Sequence, residues 1–255
     1  MTMQAQPQTI AERLADAISG PWAAGIDEVG LMRLVMQAKT ALRRAVDDPG
    51  ELHLQVGIAL LQVRRTAQAL EHLEASVRLD PEHPTALANL GAAYLILGRP
   101  GDAVEPLCRA CDVMGDAAWA SVGLLALLAE ALWMVERRPE AVGVLEAAEA
   151  AASPTNDGDF WRLAAANSEI GEHVRAMVWL GKHLSAAGLE PELHPALGVP
   201  TSAWITEHQD EFRWTDAMLV SLDFVDGLVA APSLVAGSTG TSVSTLRELG
   251  WLSAN

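Results

Sequence analysis

Lysine is almost absent from this sequence. Only Lys39 and Lys182 occur in 255 residues, and 17 basic residues in total face 33 acidic ones, for a net charge of −16. A protein that grips nucleic acid needs a clustered basic face, because the phosphate backbone supplies most of the attraction. No such cluster is present, and an anionic membrane surface is disfavoured for the same reason. We therefore expect neither a nucleic acid nor a membrane as partner.

Cysteine is scarce as well, with only Cys108 and Cys111 in a C-x-x-C arrangement. Two cysteines cannot form a disulfide framework, which favours a reducing, cytoplasmic location. A zinc site would need a second such pair or two suitably spaced histidines, and neither is found. We expect both thiols to be small packing residues, and we expect no metal and no cofactor.

Long apolar runs and catalytic motifs are also missing. The longest apolar run, residues 122–135, is interrupted by Glu130 and is short for a membrane span. The N-terminus shows neither the basic start nor the apolar stretch of a signal peptide. The patterns G-x-S-x-G and H-E-x-x-H do not occur, and the Gly- and Ser-rich residues 237–242 lack the lysine of a phosphate-binding loop. The sequence contains no catalytic constellation, so we expect a protein that is not an enzyme.

What the sequence does contain is alanine and leucine, with few aromatic residues, which favours helix over sheet. A short phrase recurs as VRRTAQAL at 63–70, LGRPGDAV at 97–104 and VERRPEAV at 135–142. The copies are 34 and 38 residues apart, and a looser copy starts at Ile170. Each phrase is a turn between two helical patterns, so the repeating unit is a helix–turn–helix.

The repeat resembles the tetratricopeptide repeat (TPR) family, whose unit is a helical hairpin of about 34 residues. Gly57 and Gly91 stand where the two helices of a family unit cross, and Tyr94 and nearby leucines would fill the space around that crossing. The fourth copy departs from the pattern, with Asn167 and His183 at apolar or small positions. The resemblance implies an all-α, right-handed solenoid with a concave groove. Its repeat array would be residues 50–190, in four units: 50–83, 84–117, 122–155 and 157–190.

The flanks are assigned by composition and periodicity. Residues 1–49 contain two helical patterns and read either as half a repeat or as a helical cap. Residues 191–235 suggest two further helices, at 202–212 and 214–230. Residues 236–255 are a Gly- and Ser-rich connector followed by an apolar tail. The tail either docks on its own domain or is offered to a partner through four side chains: Leu246, Leu249, Trp251 and Leu252.

In the TPR family the first helix of each unit lines the concave surface, and the resemblance carries this expectation to four stretches of the chain. The first two units contribute Leu54, Ile58, Leu61, Gln62, Ala88, Asn89, Ala92, Leu95 and Ile96. The third and fourth contribute Ala126, Glu130, Trp133, Met134, Trp161, Arg162 and Ala165. Family members that clamp a chaperone's carboxylate use lysine, arginine and asparagine, and here only Asn89 fits, so that function is not carried over. The expected groove is apolar. Trp133 and Trp161 are either its anchors or core residues covered by the following helices.

These expectations combine into a protein–protein interaction scaffold, adaptor or cytoplasmic chaperone that binds an apolar peptide or helix of another protein. A second hypothesis is that the tail fills the groove, giving autoinhibition or self-association. A third is an accessory subunit of an enzyme complex, with a site in residues 192–235.

Overall fold

The computed structural model describes residues 9–19, 28–44, 47–152, 157–193, 199–207 and 221. These residues are helical apart from turns and one isolated bridge between Leu193 and Pro200. The eleven α-helices of this described part are α1 (Ile10–Ile18), α2 (Glu28–Leu42), α3 (Pro49–Gln62), α4 (Thr66–Leu79), α5 (Pro84–Ile96), α6 (Pro100–Met114), α7 (Val122–Met134), α8 (Arg138–Ala151), α9 (Asp157–Glu169), α10 (His173–Ala186) and α11 (Ser202–Glu207). A 3₁₀ turn, Gly115–Ala120, follows α6.

The helices form two compact units, residues 1–118 and 119–255. Hairpins α3–α4 and α5–α6 belong to the first unit, and α7–α8 and α9–α10 to the second. The four hairpins span residues 49–79, 84–114, 122–151 and 157–186. In the first unit α1 and α2 pack on each other and both pack on α3, which extends the core at that end.

The turn inside each hairpin has the same construction in all four copies. One residue adopts a left-handed conformation with φ between 58° and 80°: Arg64, Gly98, Glu136 and Gly171. The amide that follows it donates to a carbonyl five residues earlier, for example Arg99 N to Tyr94 O at 2.9 Å. This is the Schellman ending of a helix, which satisfies carbonyls that the helix itself leaves unpaired. The recurring phrase in the sequence is this turn.

Close helix crossing in the first unit depends on glycine. A Cβ atom on Gly57 would lie 2.7 Å from Leu73, and one on Gly91 would lie 2.5 Å from Leu107. Contacts this short do not occur between real Cβ atoms and their neighbours, so a residue larger than glycine would require the leucine side chain or its helix to shift. The expected role of the two glycines is confirmed.

The second unit accommodates its departures from the repeat pattern with polar contacts. Asn167 is fully buried, and its Nδ2 donates to Glu149 Oε1 at 3.0 Å and to the Leu163 carbonyl at 2.9 Å. The indole Nε1 of Trp179 donates to the same Glu149 oxygen at 3.0 Å. Glu149 therefore links α8, α9 and α10, because a buried amide or indole N–H is costly unless it finds an acceptor.

Candidate partner-binding surface

The first helix of the second hairpin, α5, presents an exposed row in the first unit. Ile96, its last residue, is 64% exposed, whereas Ala92 and Asn89 are half-buried. The Asn89 amide donates to the Thr85 carbonyl of its own helix at 2.8 Å. Leu95 is only 8% exposed and belongs to the core. The accessible surface of α5 is therefore formed mainly by small residues, and it ends at the large aliphatic side chain of Ile96.

The corresponding stretch of α3 is largely buried, and α1 packs on this helix. Leu54 is 2% exposed, and Ile58 and Leu61 are partly buried against a cluster that includes residues of α1. The Gln62 amide donates to the Ile18 carbonyl at the end of α1, at 3.1 Å. Of the four residues expected on an open groove, Leu54 lies in the core and Gln62 contacts the end of α1. The sequence predicted two helical patterns in residues 1–49 without indicating which face of the array they would cover.

In the second unit each of the two tryptophans contacts a side chain from the second helix of its own hairpin. Trp133 is half-buried, and the Arg138 guanidinium at the start of α8 lies 5.1 Å from its ring centroid. The Trp161 ring is tilted against His183 of α10, with the centroids 5.6 Å apart. Met134 is different: it is 48% exposed at the end of α7. Of the expected apolar residues in this unit, Met134 has the largest exposed fraction.

Charged groups flank these apolar side chains along α7 and α9, which pack on each other. Arg162 is exposed and pairs with Asp159 at 3.6 Å, and its side chain lies against Gly123. Glu130 lies half-buried on α7. Burial, together with the carboxylate of Glu169 on α9, raises its pKa to about 7. One arginine, paired with Asp159, therefore lies near the start of α7, and the carboxyl groups of Glu130 and Glu169 lie near each other farther along the surface.

Other chemistry expected or excluded from the sequence can be located too. Cys108 and Cys111 lie half-buried on α6, and burial together with the neighbouring Cys108 raises the pKa of the Cys111 thiol to about 11. A thiol of this kind stays protonated at neutral pH, so it is a poor nucleophile and a poor metal ligand. Among the residues that the structure describes, no three His, Cys, Asp or Glu side chains are grouped to hold a metal ion.

A serine and a histidine do meet in the C-terminal part, where Ser221 Oγ lies 2.9 Å from Nδ1 of His173. Ser221 is fully buried, so this hydroxyl is out of reach of a substrate in the present conformation. No helix in the described ranges combines the length and apolar composition needed to cross a bilayer. The four tail residues expected to dock, 246, 249, 251 and 252, lie outside the described residues.

Comparison with known proteins finds likeness only at the level of structure. No protein-family model and no curated protein sequence matches the chain. A thermophilic TPR protein of Thermus thermophilus, TTC0263, superposes with a TM-score of 0.54 at 19% identity, covering 71% of this chain and 92% of its own. MamA from Desulfovibrio magneticus RS-1 gives a TM-score of 0.50 at 20% identity, covering 71% and 97%. A further MamA crystal structure gives 0.50 at 17% identity, covering 72% and 97%. The expected fold class is confirmed: this chain is an all-α, TPR-like repeat protein.

Proposed function

We propose that this protein is a protein–protein interaction scaffold or chaperone that binds an apolar peptide or helix of a partner on the first helices of its hairpins. The observation that carries the proposal is a repeated exposure. Ile96 and Met134 are each the last residue of a hairpin's first helix, one in each unit, and they are 64% and 48% exposed. Single exposed hydrophobic residues are common on protein surfaces. Two large ones at the same repeat position point to a shared use.

The energetics fit a modest, specific interaction. Full burial of one such side chain contributes about 1.5–3 kcal/mol, and the half-buried Ala92 and Trp133 would add smaller amounts. Association itself costs several kcal/mol, so a handful of such contacts supports binding in about the micromolar range. That strength suits a scaffold that holds its partner reversibly.

Charge defines the partner more closely. Glu130 and Glu169 stand near each other at the end of the α7–α9 surface, and the whole chain carries a net charge of −16. A lysine or arginine of the partner next to Glu130 would favour the ionised carboxylate and offset the cost of its burial. We therefore propose a partner segment that is apolar with at least one basic residue.

The experiment compares two double variants of the full-length chain in affinity capture and in selection from a displayed peptide library. Ile96→Ser with Met134→Ser removes the proposed contacts. The control is Leu79→Ser with Val113→Ser, which removes side chains that are 55% and 42% exposed on second helices. Equal helicity and equal melting temperature of the two variants are checked first.

A partner that is lost only from the Ile96 and Met134 variant supports the proposal. A partner retained by both double variants, or lost equally from both, contradicts it. If the selected peptides lack basic residues, the result would support apolar binding but contradict the proposed role of Glu130. The cytoplasmic setting remains part of the proposal, based on two cysteines that are not joined by a disulfide.

A further inference from the structure

A cavity of about 700 Å³ opens on the second unit, at the C-terminal half of α10. Its size falls within the range of about 300–1,000 Å³ that is usual for binding pockets. The α10 side contributes Val178, Trp179, Lys182 and Ser185, and Phe160 and Leu193 complete the main walls. Because α10 is the second helix of its hairpin, this site is separate from the first-helix surface proposed above to bind a partner protein.

The walls combine apolar surface with one cation. Phe160 and Trp179 stack with their ring centroids 5.7 Å apart, and the Lys182 ammonium lies 3.7 Å from the centre of the Trp179 ring. Leu193 remains 49% exposed at the edge of the cavity. The occupant that fits is therefore an apolar segment with a negative charge beside its apolar side chains.

The C-terminal part of this chain already lies along α10 at two points. The Pro200 ring is so close to Gly181 that a Cβ atom there would meet it at 3.3 Å. Ser221 contacts His173, the first residue of α10. The cavity lies along α10 from Val178 to Ala186, the half of the helix opposite His173, and Gly181, which Pro200 approaches, is one of its lining residues. It therefore adjoins a surface that this part of the chain already covers.

We propose that residues 245–252 of the same chain bind in this cavity. The segment carries the apolar side chains Leu246, Leu249, Trp251 and Leu252 and two charged ones, Arg247 and Glu248, of which Glu248 provides the charge that complements Lys182. Its reach is sufficient: about 24 residues separate Ser221 from Thr245 and can extend to about 80 Å, whereas the 14-residue α10 is about 21 Å long. A segment tethered in this way acts at an effective concentration of about millimolar, so even weak contacts hold it in place.

Disulfide trapping in the full-length chain tests the proposal. In a background with Cys108→Ser and Cys111→Ser, the test pair is Ser185→Cys with Ser253→Cys, which joins the cavity wall to a position next to the tail's apolar residues. The matched control is Glu146→Cys with Ser253→Cys, because Glu146 is an exposed helical position of the same unit that does not line the cavity. Disulfide formation in a glutathione redox buffer is followed by mass spectrometry at several protein concentrations.

We expect the test pair to close at least tenfold faster than the control, within one chain and independently of protein concentration. Equal rates for the two pairs would overturn the proposal, because the tail would then sample both positions alike. Disulfide-linked dimers whose yield rises with concentration would also overturn it, since the tail would then bind a second copy.

A charge exchange provides the second measurement. Lys182→Glu in the test-pair background is expected to slow closure several-fold, because Glu248 would then face a like charge. Adding Glu248→Lys should restore the rate if the two residues are partners. A rate that stays low in the exchanged variant would show that Lys182 acts only through its contact with Trp179, which contradicts the pairing.

Discussion

The two units of this protein solve the same packing problem differently. Where the helices of a hairpin cross, the first unit has Gly57 and Gly91, and the second has the fully buried Ala129 and Ala164. In the first unit a leucine of the second helix fills the space that a Cβ would occupy, so a residue larger than glycine would displace that leucine. The second unit leaves room for a methyl group. The repeat therefore accommodates either glycine or alanine where the two helices cross, and this residue distinguishes the two units.

The units also bury ionisable groups of opposite kinds. In the first unit His53 of α3 and His72 of α4 share a hydrogen bond, with 3.0 Å between their Nδ1 atoms. Burial lowers the pKa of His72 to about 4, helped by His53 and Lys39; burial and Arg78 also lower the pKa of His53. In the second unit burial raises the pKa of Glu130 to about 7. Protonation of His72 and protonation of Glu130 therefore change stability in opposite directions.

The largest expected effect comes from exchanging the crossing residues. Gly91→Ala should lower the free energy of unfolding by about 2–3 kcal/mol, since the added methyl group overlaps Leu107. Ala129→Gly should cost only about 1 kcal/mol, through backbone entropy and a lost methyl contact. Urea denaturation of both variants measures the difference. The control is Gly101→Ala, where a Cβ meets nothing within 4 Å, and it should be neutral or stabilising. Equal losses for Gly91→Ala and Gly101→Ala would refute the tight crossing.

The next effect is the pH response of the second unit. The folded-state pKa of Glu130 is raised above its ordinary value of 4.5, so its contribution to stability is complete below pH 4.5 and is lost as the pH rises through about 7. The shift corresponds to a few kcal/mol at most. Hydrogen exchange in α7 and α9, corrected for its intrinsic pH dependence, should show stronger protection at pH 5 than at pH 7.5. Glu130→Gln should abolish that difference, and a pH response that survives this substitution would rule out Glu130 as its source.

The first unit should respond in the opposite sense and more weakly. The folded-state pKa of His72 lies below its ordinary value of 6.5, so stability is lost as the pH falls from 6.5 towards 4. If both rings carry a proton on Nδ1, neither Nδ1 can accept, and the hydrogen bond between His53 and His72 is lost. Because His72 is only partly buried, solvent screening limits the loss to about 1 kcal/mol. Amide hydrogen exchange in α3 and α4 should therefore be faster at pH 5 than near neutral pH, and His72→Gln should remove this pH dependence. Protection of α3 and α4 that increases at pH 5 would contradict this account.

The smallest effect should be the same in both units. Arg64 and Glu136 adopt left-handed backbone angles, with φ of 58° and 64°, where the other two turns have glycine. Replacing either residue by glycine should stabilise the protein by about 0.5–1 kcal/mol, because the left-handed conformation is costly for a residue with a Cβ. Thermal unfolding of the two single variants checks this. A lowered melting temperature in either would show that the side chain contributes more than the backbone strain costs.

Local features of this molecule were predictable from its sequence, and surfaces were less so. The four hairpins follow from a turn phrase whose chemistry is local, and Gly57 and Gly91 identify the crossing because no other residue fits there. The contact of Gln62 with the end of α1 could not be predicted, since it depends on where α1 packs. Asn167 looked like a departure from the repeat, and only the three-dimensional proximity of Glu149 explains it.

The central claim is that first-helix ends bind an apolar, basic partner segment. Its most direct test is the dissociation constant, by isothermal titration calorimetry, of the segment identified by capture or selection. We predict that Ile96→Ser with Met134→Ser raises it at least tenfold, about 1.4 kcal/mol, because burial of two large side chains is lost. Leu79→Ser with Val113→Ser should change it less than twofold. Equal dissociation constants for the two double variants would contradict the claim.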